Sequence, residues 1–428
     1  MPQSRFHFQP VTYAALAIML ATLYSCSSGG AATGSEDAST PKVAKGPAGK
    51  LPSKPANTET KAAPPAHKYT FERPKAVKGI YLTAWSAGSS TKMAKVLDMI
   101  DKNELNAVVI DVRDTGDMYW KTGIKLADEC KATMVAIPKP DALFQSLEKH
   151  KVWPIARIAC FRDNWVPKKH PEMAVQSGGG RVWRDRSGHS WLDPYNKKNW
   201  EYLAQTVEFA LDAGFPEVQL DYVRFPSEGK SSTQVFPGKK TYPDQKAKPE
   251  DVIEQFANFI GEKVHARGAL YSSDIFGIIS STRKDQGIGQ ALEKVAGPFD
   301  VISPMVYPSH FANGEYGIPN PDKAPYAIIK KSLTDYKKRL PKKDVRPWLQ
   351  AFSLRAHYGR AEVQAQIKAA RELGYNEYLL WNAANRYAEG LVDKDGAKPT
   401  SASAPPAKGA TTEKVSTPAS KVTETPKK

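Results

Sequence analysis

Short apolar runs recur eight times along the middle of the chain, and most are followed by a stretch with helical spacing. The runs occupy residues 79–84, 107–112, 152–160, 217–225, 269–276, 300–307, 346–352 and 377–382. Between them, residues 91–103 set Met93, Val96, Leu97 and Ile100 on one face, with Ser90 placed as an N-cap. Residues 199–213 end at Gly214 and 249–267 at Gly268, both C-cap signals. Residues 326–340 stop at Pro341, and 361–373 stop at Gly374. Eight strands alternating with helices or long loops predict an α/β fold, a closed parallel (β/α)₈ barrel. An open doubly wound sheet would carry a glycine-rich phosphate loop after an early strand, and the sequence has none.

Composition divides the chain into four parts. Residues 27–74 and 391–428 are dominated by Pro, Ala, Ser, Thr, Gly and Lys, too poor in core formers to offset the entropy of ordering. They are expected to be a disordered tether and tail around one folded domain, 75–390. Residues 1–26 read as a lipoprotein-type signal peptide: Arg5 and His7 precede an apolar run from Val11 to Leu23, too short to span a bilayer. The run ends in Leu23-Tyr24-Ser25-Cys26, which resembles a bacterial lipobox with Cys26 as the lipidated residue. Ser27 after it implies outer-membrane retention, facing the periplasm or the exterior. An unlipidated product would be secreted.

The net charge of +16 belongs partly to the ends. Ten Lys and Arg face four Asp and Glu before Gly79, and seven face five from Glu389 onward, leaving an excess of 8 over the long middle. No basic stripe or nucleic-acid module stands out, so nucleic acid is not an expected partner. Cys130 and Cys160 make no disulfide framework and read as small buried side chains. Metal chemistry is poorly supplied, with no HxH or HExxH, and no GxSxG supports a serine esterase. No cofactor is expected.

The chemistry lies where the strands end, because the following loops converge on one mouth. Strand two closes with Asp111-Val112-Arg113-Asp114, strand four contains Asp221-Tyr222-Val223-Arg224, and strand five closes with Asp274-Ile275-Phe276. A carboxylate inside an apolar strand is costly unless paired or used. One aspartate alone reads as a salt bridge to Arg113, Arg157 or Arg224, but Asp221 and Asp274 on adjacent strands favour function. Facing carboxyls are what glycoside hydrolysis requires, one protonated and one ionised. Arg224 is expected to keep Asp221 anionic, and the apolar surroundings of Asp274 to keep it acidic. Asp111 is the third catalytic candidate, and Asp114 orients a neighbour or meets a sugar hydroxyl.

Substrate-binding candidates are Trp85, Arg157, Tyr222, Arg224, Tyr307, His310, Trp381 and Asn382. Trp165, Trp183 and Trp191, interleaved with Asp163, Asp185 and Asp193 after strand three, also suit a carbohydrate site. Trp153 and Trp348 are assigned to the core.

Several segments together resemble a bacterial glycoside hydrolase family catalogued as a domain of unknown function. They include Gly79-Ile80-Tyr81-Leu82-Thr83, Val108-Val109-Ile110-Asp111-Val112, Ile155-Ala156-Arg157-Ile158 and Asp193-Pro194-Tyr195-Asn196. Gln219-Leu220-Asp221-Tyr222-Val223-Arg224-Phe225-Pro226-Ser227, Ser303-Pro304-Met305-Val306-Tyr307-Pro308-Ser309-His310 and Leu379-Leu380-Trp381-Asn382-Ala383 complete the set. The resemblance covers about 75–387 and implies a barrel distantly like those of the α-amylase and α-galactosidase type. It would make Asp221 the nucleophile, and strand five supplies Asp274 as acid/base. The expected function is a retaining hydrolase acting on an envelope or extracellular polysaccharide, anchored to the membrane through Cys26. The alternative is a glycan-binding, envelope-organising lipoprotein without turnover.

Overall fold

The computed structural model describes residues 68–388 and 390–393. The leader, Cys26, most of the tether and the C-terminal tail lie outside the described residues.

Eight parallel strands form the barrel: β1 (Lys78–Leu82), β2 (Ala107–Asp114), β3 (Trp153–Ala159), β4 (Glu217–Asp221), β5 (Leu270–Phe276), β6 (Val301–Met305), β7 (Trp348–Gln350) and β8 (Tyr378–Trp381). All eight expected runs are present. The sheet closes because β1 pairs with β8 through Lys78↔Tyr378 and with β2 through Gly79↔Ala107. Two short strands add to this frame. Asp117–Met118 folds back antiparallel on β2, and Asp344–Val345 extends the edge of β6 just before β7.

Side chains alternate across each strand, so each strand serves two cores. Outward residues such as Ile80, Val108, Ile110, Val218, Leu220 and Leu380 pack into the large shell under the helices. Inward residues form a separate cluster containing Tyr81, Ala107, Val109, Trp153, Ile155, Tyr307, Trp348 and Leu379. The inward register then carries upward to polar groups: Asp111 follows Val109, Arg157 follows Ile155, and Asp221 follows Gln219.

The floor of the barrel is sealed by buried ions. Glu217 accepts from Arg346 Nη1 at 2.8 Å, Ser272 Oγ at 2.7 Å and Trp153 Nε1 at 2.9 Å, while Arg346 Nε reaches Glu377 at 3.0 Å. The candidate aspartates Asp111, Asp221 and Asp274 lie toward the opposite mouth.

The helices follow the expected rhythm with shifted ends. Ser90–Asp101 is capped by Ser89 rather than Ser90, and Lys197–Ala213 ends at Gly214 with φ 110°. Pro249–Ala266, Pro325–Arg339 and Arg360–Arg371 complete the long ones. The largest boundary correction is in β4, which ends at Asp221 and not at Phe225. Tyr222 has φ 52° and turns the chain out of the sheet. Cys130 and Cys160 are buried and unpaired, as the sequence suggested.

Candidate active site

At the carboxyl ends of β2 to β5 one guanidinium gathers four aspartates. Arg157 Nη1 donates to Asp111 Oδ1 at 2.6 Å, and its Nε and Nη2 donate to Asp221 Oδ2 at 3.0 and 2.5 Å. Nη1 lies 3.6 Å from Asp114, and Nε lies 4.0 Å from Asp274 Oδ2. Because one Nε stands 3.0 Å from Asp221 Oδ2 and 4.0 Å from Asp274 Oδ2, those two oxygens are at most 7.0 Å apart, the sum of the two distances. Asp111, Asp221 and Asp274 are nearly enclosed, at 2%, 6% and 2% exposure.

Their immediate partners differ, and the differences set protonation. Asp274 receives one neutral donor, Trp348 Nε1 at 2.6 Å on Oδ1. Burial and the charge of Asp221 push its pKa well above the usual carboxylate range, against Arg157 and Trp348. Asp111 accepts from Arg157 and from the Tyr81 hydroxyl at 2.6 Å, yet burial still raises it to about 6. Asp114 stays below the usual value, because Arg157, Arg162 and Arg113 together outweigh its burial. Asp221 has both oxygens addressed, Oδ2 by the guanidinium and Oδ1 by the backbone N–H of Tyr222 at 2.6 Å. That last bond is made by the residue with the left-handed backbone, so local strain sits directly beside the candidate nucleophile.

Aromatic rings wall the same space. Trp381, half-buried, stacks on Tyr81 with centroids 4.0 Å apart and meets Trp348 edge-on at 5.4 Å. The Arg157 guanidinium lies 5.6 and 5.4 Å from the Tyr81 and Trp381 ring centres. The Tyr307 hydroxyl is buried and has no hydrogen-bond partner, and it feels the charges of Asp274 and Asp221. A buried orphan hydroxyl carries a desolvation cost, which a bound ligand could remove.

The expected residues divide accordingly. Asp111, Asp221, Asp274, Arg157, Tyr307 and Trp381 converge on the mouth. Tyr222 lays its ring against the Arg162 guanidinium at 3.9 Å and meets Trp191 edge-on at 5.8 Å. The expectation for Arg224 is corrected: it donates to Glu228, Ser227 and the Phe225 carbonyl, and Arg157 is the guanidinium bound to Asp221. Asn382 braces its own loop, donating to the Ala351 and Arg386 carbonyls and accepting from Ala384 N–H. His310 is exposed on the rim against Tyr307 and Phe352. Trp85 is 56% exposed beside Tyr119.

Trp183 and Trp191 after β3 are buried, and the aspartates beside them are tied into the architecture. Asp163 pairs with Arg113 and caps Val166, Asp185 holds Trp191 Nε1 at 3.0 Å, and Asp193 accepts from Tyr195 and Gly238. Buried aspartates need such donors, so alternating Trp and Asp marks a loop held by hydrogen bonds here. Sequence reasoning missed Tyr81 and placed Trp348 in the core alone. Both stand on the inward parity of their strands, a signal that period-two counting could have supplied. No group of three or more His, Cys, Asp or Glu suited to hold a metal occurs among the described residues.

Comparison with known proteins places residues 79–387 within a family model described as "Putative glycosyl hydrolase domain". No curated protein matches the chain. A hypothetical protein from Ruminiclostridium thermocellum is similar at 32% identity over 47% of this chain and 99% of that one, with TM-score 0.42. The α-galactosidase TtGalA from Thermus thermophilus, solved with p-nitrophenyl α-D-galactopyranoside, is similar at 15% identity over 74% of this chain and 60% of that one, with TM-score 0.47. The glycoside hydrolase domain of PelA from Pseudomonas aeruginosa is similar at 12% identity over 73% and 97%, with TM-score 0.43.

Proposed function

Because this chain belongs to that glycosyl hydrolase domain family, we propose that it cleaves the glycosidic bonds of an envelope or extracellular polysaccharide with Asp221 and Asp274. The observation carrying this reading is that two buried carboxyls share one guanidinium edge yet differ in their partners. Asp221 is met by charged donors, while Asp274 is driven toward its protonated form. Asp274 would give its proton to the departing glycosidic oxygen as Asp221 attacks the anomeric carbon and the C–O bond breaks. Asp274, now ionised, would take a proton from water. The resulting hydroxide would release the sugar from Asp221.

Retention requires carboxyls about 5–5.5 Å apart and inversion about 6.5–9.5 Å, and a ceiling of 7.0 Å on the Oδ2–Oδ2 separation is compatible with the shorter, retaining distance. Asp111 and Tyr81 would bind hydroxyls or temper the charge of Arg157. Tyr307 would offer its free hydroxyl to the sugar, and Trp381 its half-buried face. The test is to record by NMR which anomer appears first when the chain acts on a glycan it cleaves. Retained configuration supports Asp221 as nucleophile, and inverted configuration rejects that role.

One observation favours the rival, a glycan-binding barrel without turnover: both oxygens of Asp221 already have donors. Glycan retention without new reducing ends would establish it. For placement in the cell, the apolar run to Leu23 followed by Cys26 supports a lipid-anchored envelope protein. Palmitate labelling lost in Cys26→Ser would support the anchor, and labelling unchanged in that variant would reject it.

A further inference from the structure

Large exposed apolar residues are few among the described residues, and three of the six gather on one side of the barrel mouth: Trp85 at 56%, Met134 at 37% and Val135 at 47% exposure. The fold puts them together. Trp85 lies in the short helix Ala84–Ala87 directly after β1, and that turn ends at Gly88. Gly88 packs so tightly on the loop carrying Val135 that an added Cβ would fall 2.0 Å from the Ala136 carbonyl oxygen. The same loop is pinned to the β2 hairpin by Met134 N–H to the Met118 carbonyl at 2.7 Å and Ala136 N–H to the Tyr119 carbonyl at 2.9 Å. The Tyr119 ring meets Trp85 edge-on with centroids 6.4 Å apart.

Tyr119 joins this patch to the carboxylates. Its N–H donates to the Val112 carbonyl at 3.1 Å, between Asp111 and Asp114 on β2, and its hydroxyl is pushed far above its ordinary pKa by burial and by the charges of Asp114, Asp117 and Asp111. Asp114 keeps 27% of its side chain exposed there, while its Oδ1 is enclosed 3.6 Å from Arg157 Nη1 and 3.7 Å from Arg162 Nη2. An exposed ring beside partly exposed carboxylates suits a pyranose, which has an apolar face and a hydroxylated rim. A lipid surface or an apolar protein face would instead cover the exposed parts of Asp114 and Asp117 with groups that offer no hydrogen bond.

We infer that Trp85 and Tyr119, flanked by Met134 and Val135, form an outer glycan subsite continuous with the Asp221–Asp274 cleft, so that the ligand is a chain of sugars and not a single terminal unit. The inference rests on the glycan reading above. Trp85 is the stacking platform, and Asp114 and Asp117 accept hydroxyls from the same sugar.

The test applies the full chain to an array of size-defined oligosaccharides, using Asp221→Asn so that binding is read without turnover. Retention that rises with oligosaccharide length, and falls roughly tenfold for long members in Asp221→Asn/Trp85→Ala, is the expected result. Tyr326→Ala, which removes an exposed ring elsewhere (37%), should leave retention unchanged. Equal loss at every length, no effect of Trp85→Ala, or no glycan retained at all would overturn the subsite. Trp85→Ala abolishing sedimentation with phosphatidylglycerol vesicles while sparing glycan retention would overturn it in favour of a membrane contact. Because binding is scored apart from cleavage, a chain that shows the length effect but releases no reducing ends would defeat the hydrolase reading and leave the subsite standing.

Discussion

Trp348→Phe isolates the hydrogen bond that bears on the proposed acid. The indole is 1% exposed and donates to Asp274 Oδ1 at 2.6 Å, and phenylalanine keeps an aromatic ring there while deleting the donor. The bond is worth about 1.5–3 kcal/mol when Asp274 is ionised and about 0.5–1.5 kcal/mol when it is neutral. Its loss therefore disfavours the ionised form by about 1–1.5 kcal/mol more than the neutral one. At about 1.36 kcal/mol per unit, the already raised pKa of Asp274 should climb by about one further unit. A general acid must be protonated to work, so the alkaline limb of kcat/KM against pH should move upward by that amount. The smaller ring also leaves a gap and lowers stability by about 1–3 kcal/mol, which scales the whole profile without moving a limb. The assay is kcat/KM on a cleaved glycan across the neutral and alkaline range, for both proteins at equal folded fraction. An alkaline limb that stays fixed or moves downward, or a shift confined to the acid limb, would refute the assignment of Asp274 as acid.

Three other perturbations follow from the same geometry. Tyr307→Phe removes a buried hydroxyl without a partner, so the free protein should gain about 1 kcal/mol in denaturant unfolding while kcat/KM falls roughly tenfold. A loss of stability with unchanged catalysis would show that the hydroxyl serves packing. Asp111 sits at about 6 in the folded chain against 3.8 ordinarily, so its contribution to stability is full below the lower value and declines as pH rises to the upper one. Asp111→Asn should flatten the fall in melting temperature between about pH 4 and 6, and an unchanged slope would contradict the shift. Arg157→Met strands buried carboxylates and should destabilise the fold by about 3–5 kcal/mol at neutral pH, with partial recovery on acidification. A variant equally unstable at both pH values would count against charge as the cause.

The barrel was legible because its strands are apolar on both faces and its helices end at Gly214, near Gly268, or before Pro341, signals that act locally. The positions of Asp111, Asp221 and Asp274 were legible for the same reason: an aspartate inside an apolar run is conspicuous. Their partners were not. Arg157 reaches up to Asp221 from the neighbouring strand, whereas Arg224 is closer in sequence and is drawn to Glu228 after the chain turns at Tyr222. Side-chain reach and barrel stagger decide such pairings, and neither is written in sequence spacing. Trp191 and Asp185 misled because a sugar platform and a buried indole–carboxylate bond use the same residue types. Asn382 is ambiguous for a similar reason, since an amide at a strand end serves a loop as readily as a ligand.

The most direct trial of the account is to measure new reducing ends released from a broad glycan panel by the wild-type chain, Asp221→Asn and Asp274→Asn side by side. The account predicts release from at least one polysaccharide by the wild type and its loss in both variants, with glycan binding retained. Undiminished release by either variant would contradict the pairing of Asp221 with Asp274.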